Sequence, residues 1–145
     1  MVPLELVQSA IVNYLLGQVT VTAIVGTDVR EDQWQGADFK YPCVRVALDM
    51  VATATCQYDF SITISAFSEE ASSRQDAHLC TVLTEAVEGM RVHHHLLLPH
   101  IQAGLTVGFN SLSLFVARII GPYRAPVRTW RGDVICRVSI YEAPI

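Results

Sequence analysis

Three consecutive histidines, His93, His94 and His95, are the first residues whose type could do chemistry, because a neutral imidazole binds zinc, copper or nickel. Their spacing argues against a metal. Successive side chains leave a strand on opposite faces and fan around a helix, so three in a row do not converge on one ion, and the i, i+4 pair of helical zinc sites is missing. His100 and Cys80 add donors without a metal-binding spacing, and a solvated or interface loop is the plainer reading. Cys43, Cys56, Cys80 and Cys136 contain no C-x-x-C pair, which points to buried free thiols instead of a zinc ribbon or a redox pair. There is no G-x-S-x-G elbow for a nucleophilic serine, and neither of the glycine-rich phosphate loops is present. Gly104 to Gly108 reads as a small-residue loop or strand, and Asp28, Glu31, Asp32 and Asp38 as an acidic solvated loop. The expectation is a protein that is not an enzyme and needs no cofactor and no metal.

Arginines offer a second kind of chemistry. Arg118, Arg124, Arg128, Arg131 and Arg137 crowd the C-terminal third with Tyr123 and Trp130 between them, a mixture that can grip phosphate and stack on bases. The whole chain nevertheless has a net charge of −4 and a pI near 5.6, unlike the basic surroundings of a nucleic-acid platform. Charge is divided along the chain: residues 1 to 90 hold four basic and twelve acidic side chains, net −8, and residues 91 to 145 hold six and two, net +4. Two such regions attract between neighbouring copies if they form opposite faces, which favours head-to-tail association in a ring or stack; if the halves mix in space, no facial dipole exists. Inter-subunit salt bridges therefore suit these arginines better than DNA.

Composition agrees with association. Roughly 53% of the 145 residues are apolar, counting Gly and leaving out Tyr, and 17% are charged, against about 45–50% and about 25% in a typical soluble domain. A single domain of this size must solvate a large surface, so an apolar surplus with few charges suggests that part of that surface is covered by other chains. No apolar run approaches the roughly 20 residues needed to span a bilayer, and the Met1-Val-Pro-Leu-Glu5 start lacks a signal peptide's basic region. No membrane role is expected.

The elements that must position these residues follow from periodicity. Leu4, Val7, Ile11, Tyr14 and Leu15 recur at helical spacing and predict a helix over 3–16, followed after Gly17 by a short helical turn at Val19 to Val25. Val29 to Trp34 suggests a short strand. Val44, Val46, Leu48 and Met50, then Tyr58, Phe60, Ile62, Ile64 and Ala66, alternate with polar residues and predict a hairpin turning at Ala52 to Thr55. Ser68 before Glu69 and Glu70 resembles the cap of a second helix that ends near Gly89. Residues 91–113 show no period and suggest a long arm or loop that reaches a neighbour. Leu114 to Ile120 and Val134 to Tyr141 are the last two strands. The predicted fold is one α+β domain over 1–145: a mainly antiparallel sheet in α-β-β-β-α-β-β order with helices on one face.

That order of elements, with the Leu-Val-x-x-Ala-Ile helix, the Thr22-Ala-Ile-Val-Gly26 turn, the Pro42-Cys-Val-Arg-Val strand, the Phe60 to Ser68 strand and the closing Trp130 to Tyr141 strand, resembles tail terminator or tail completion proteins of long-tailed bacteriophages. The likeness covers about 4–90 and 114–142. It implies a structural virion protein in the neck region of the tail, assembled in the host cytoplasm. Such a protein forms a homo-oligomer, a hexameric ring, that caps the tail tube, ends its polymerisation and joins the tail to the neck or connector. Its partners would be the tail tube protein and the neck or connector protein, with DNA passing through the lumen without specific binding. Other readings are another head-tail joining protein, a small nucleic-acid-binding module or a metal-dependent oligomeric enzyme. On the arm-and-ring reading, the inter-subunit or axial contacts would come from His93, His94, His95, Leu97 and Phe109 in the arm and from Arg124, Arg128 and Arg131 in the hairpin after it.

Overall fold

In the computed structural model, residues 4–32, 41–54, 56–69, 72–92, 97–102, 108–125 and 129–142 are described. Helix α1 (Leu4–Leu16) buries Val7, Ala10, Ile11, Tyr14 and Leu15, the i, i+3, i+4 stripe of a helix packed on a core. It closes where the Gly17 amide donates to the Asn13 and Tyr14 carbonyls, and α2 (Val19–Val25) then departs at 85°. Gly26 ends α2 at φ 63, a left-handed conformation that glycine takes without a Cβ clash, while its amide donates to the Thr22 carbonyl at 2.8 Å.

Strand β1 (Val29–Glu31) runs parallel to β2 (Cys43–Ala54), which turns into the antiparallel β3 (Gln57–Ser68). The turn is tight: Ala54 pairs with Gln57, and Cys56 adopts φ 63. Helix α3 (Arg74–Val92) follows, then the short α4 (Leu98–Gln102) and the long antiparallel strands β4 (Phe109–Ala125) and β5 (Thr129–Glu142). The single sheet has the order β1-β2-β3-β5-β4, so the two sequence-distant strands β1 and β4 form its opposite edges.

Strand alternation decides where the core lies. Val44 and Val46, Phe60 to Ala66 at every second residue, and Val134, Cys136, Val138 and Ile140 occupy one face and are 0–2% exposed. They pack with the stripes of α1 and α3 in one hydrophobic cluster. The helices thus cover one face of the sheet, as an α+β sandwich requires. Arg45, on the other face, is held by Asp28 at 2.9 Å, an ion pair with both side chains largely buried.

Several boundaries differ from the sequence reading. Ser68 is the fully buried last residue of β3, paired with Trp130, so α3 begins six residues later at Arg74. Gly89 lies inside α3, where a Cβ would stand 3.2 Å from the Tyr14 hydroxyl; the glycine makes room for that ring and does not stop the helix. The expected arm over 91–113 falls only in part on described residues, since 93–96 and 103–107 lie outside them. Arg91 and Val92 complete α3, Leu97 and Ile101 are buried, α4 packs on α1, and β4 already starts at Phe109. Apolar residues without a clean period here fill the core from a short helix, which is why periodicity missed them.

Candidate interaction surface

On the sheet face without helices, Ser65, Asp133, Arg131 and Tyr123 meet across β3, β5 and β4. The Ser65 hydroxyl donates to Asp133 Oδ1 at 2.7 Å, Arg131 Nε donates to the same oxygen at 3.0 Å, and the Tyr123 hydroxyl donates to Oδ2 at 3.1 Å. Arg131 also donates to the Ser65 Oγ at 3.3 Å and lies over the Phe67 ring at 5.2 Å. Burial and the neighbouring Asp133 push the Tyr123 hydroxyl above its ordinary range. A carboxylate with both oxygens satisfied beside an arginine tied on three sides holds strands together; it is not poised for proton transfer.

The helix-covered face contains a different acid. Asp76, in the first turn of α3, is fully buried, and neither oxygen has a hydrogen-bond partner among the described residues. It sits over Gly132: a Cβ there would lie 3.0 Å from Asp76 Oδ2 and would run into the Cys80 sulfur. Burial, reinforced by Asp133, pushes this carboxyl up to about 7. Burial also pushes the Cys43, Cys80 and Cys136 thiols up to about 12, which leaves them protonated and poor nucleophiles at neutral pH. Among the described residues no three His, Cys, Asp or Glu side chains gather as a metal site.

The two edges of the sheet carry further surface features. Strand β4 has one paired side and presents Phe115, Ile119 and Tyr123, 47%, 51% and 38% exposed, together with exposed Arg118 and Arg124. Arg124 stacks on Trp130 at 5.4 Å. Phe115 also borders a shallow depression of about 330 Å³ with Val51, Asp59 and Arg137. At the other edge, the outward face of α1 and the end of β1 form an open cleft of about 390 Å³, lined by Glu5, Gln8, Ser9, Val12, Asn13 and Glu31. Gln8 donates to Asp32 at 3.3 Å and to the Val46 carbonyl at 2.7 Å, fixing α1 against this edge.

The residues expected to make contacts are dispersed by this geometry. His93, His94, His95 and Arg128 lie outside the described residues. Leu97 and Phe109 are 1% exposed, so their contacts are with their own chain's core and the expectation of an inter-subunit role is corrected for both. Arg131 meets an ion partner within the chain, Asp133 at 3.0 Å, while its side chain stays 38% exposed. Arg124 is exposed on the surface. Sequence reading missed Asp76, whose burial is signalled only by its place in the apolar stripe of α3, and it did not join Glu5 and Glu31, which are adjacent only because β1 returns beside α1.

No protein-family model and no curated protein matches the chain. Among solved structures, the chain is similar to one described as the virion of a native gene transfer agent particle, with a TM-score of 0.68 over 94% of each chain and 17% identity. The likeness establishes a shared fold along nearly the whole length.

Proposed function

We propose that this chain is a structural protein of a phage-like virion that associates side by side into a ring and carries out no catalysis. The observation that supports this reading is the match of nearly the entire fold to a chain of a gene transfer agent virion. The character of the site agrees with it: the buried acid and thiols are closed off, and the conspicuous exposed features are strand edges and apolar patches suited to other protein chains. Within the virion, the resemblance to tail terminators points to a hexamer at the top of the tail tube that stops tube growth and meets the neck or connector, with DNA passing through its lumen.

The test is functional and positional. Purified protein added to a polymerising tail tube preparation of the same particle should cap the growing end and shorten the tubes, and gold-labelled antibody should mark the particle where tail meets neck. Tubes of unchanged length with label elsewhere on the particle would refute the terminator role, and particles without label would refute the virion role.

A further inference from the structure

We infer that Asp76 is a two-position latch on the start of α3: uncharged, it lies inward over Gly132 and seats the first turn on the sheet; charged, it swings out to the Ser73 amide and that turn lifts away. The latch is independent of any place in a virion. Little else attaches this turn. Between Arg74 and His78 the acid alone is buried; Arg74 and His78 are exposed, and Gln75 and Ala77 are half-buried. The apolar stripe begins only at Leu79 and continues to Met90. Seating of the turn therefore depends on a side chain that a buried site accepts readily only when it is neutral. Gly132 provides the space, since a Cβ there would stand 3.0 Å from Asp76 Oδ2.

The helix start offers the outward position. The Ala77 amide donates to the Ser73 carbonyl at 2.9 Å, which makes Ser73 the N-cap and Asp76 the third helical residue. Ser73-Arg-Gln-Asp76 thus has the spacing of a capping box, in which an acid at that position accepts from the N-cap amide. In the seated fold this bond is not made. Both Asp76 oxygens and the Ser73 amide are without a hydrogen-bond partner among the described residues. The Arg74 amide reaches the Ser72 hydroxyl only at 3.5 Å, so the end of the helix is weakly capped. A carboxylate turned outward here also meets the positive end of the helix dipole.

Where it is seated, no neighbouring group offers the carboxylate a counter-charge. From β5 it faces Asp133, a like charge, whose partners Arg131 and Tyr123 of β4 lie on the other side of the sheet. On α3 it stacks with the Cys80 thiol over Gly132, and β3 contributes Ala66 to the same row. Burial, reinforced by Asp133, pushes the seated carboxyl up to about 7. The proton is therefore held below that pH, and release belongs to pH 7 and above.

Nuclear magnetic resonance of the 15N-labelled full chain between pH 5 and 8.5 tests the latch. As Asp76 ionises, the Ser73 amide proton should move downfield with the midpoint of the carboxyl. Exchange protection of the Ala77 and His78 amides, corrected for intrinsic pH dependence, should fall about tenfold or more, while central amides of β3 and β5 lose less. Asp76→Asn should abolish both changes. Ser73→Pro deletes the receiving amide and keeps the acid, so the carboxyl midpoint should rise by about half a pH unit or more; an unchanged midpoint would remove the outward position. A Ser73 amide that does not titrate in wild type, or still does in Asp76→Asn, would overturn the latch. So would first-turn protection that falls only in step with β3 and β5, because the ionised acid is then met by global unfolding alone. Should Ser73→Pro unfold the chain, the comparison of wild type with Asp76→Asn decides by itself.

Discussion

Asp76→Asn should stabilise the fold at neutral and higher pH while leaving acid stability nearly unchanged. In the folded chain this carboxyl has no hydrogen-bond partner among the described residues, and burial, reinforced by Asp133, pushes it from an ordinary value of 3.8 up to about 7. Each pH unit of that difference corresponds to about 1.36 kcal/mol, so keeping the carboxylate charged in the fold costs about 4 kcal/mol. Between those two values the folded state holds a proton that the unfolded state has released. Stability therefore falls as pH rises through this window and levels off above about 7. From pH 5 to pH 8 the loss due to Asp76 is about 3 kcal/mol. The neutral amide is close in shape to the protonated acid, so the variant should match wild type near pH 4 and exceed it by about 3–4 kcal/mol at pH 8. Urea unfolding of both proteins at pH 4, 5, 6, 7 and 8 measures the difference, and titrations common to both cancel. Equal slopes of stability against pH in the two proteins would refute the reasoning.

Gly132→Ala should destabilise by about 1–3 kcal/mol, because its Cβ has no space beside the Cys80 sulfur and Asp76; thermal unfolding reads this as a lowered Tm. In the native protein at pH 8, Cys43, Cys80 and Cys136 should resist a thiol reagent such as Ellman's reagent while half-buried Cys56 reacts, and all four should react in urea; fast native labelling of more than one thiol would contradict the burial described. Arg45→Ala should cost about 3 kcal/mol in urea unfolding, since it leaves Asp28 without the partner it meets at 2.9 Å, and a loss under 1 kcal/mol would show the pair to be solvent-screened.

Much of the fold is legible from period alone. The alternation through Phe60, Ile62 and Ile64 and the helical stripe of α1 each require one buried face, and burying those faces together forces helices onto one side of the sheet. The described residues between α3 and β4 are not legible in this way, because Leu97 just before a five-residue helix, Ile101 within it and Phe109 at a strand start reach the core from pieces too short for any period to register. Arg131 illustrates a second limit: sequence places an arginine in a basic segment, but only the pairing of β5 with β3 brings it to Ser65 beside Asp133. The division of charge along the chain was visible from the start. Its spatial form was not, since β1 with Glu31 and β4 with Arg118 and Arg124 become opposite edges only through the strand order.

The side-by-side ring is the central claim, and it is tested most directly by negative-stain microscopy of the purified protein combined with its mass by light scattering. A closed annulus with six-fold symmetry and the mass of six chains is the expected result. A compact particle with the 16.0 kDa mass of one chain, at concentrations up to those used for imaging, would contradict it.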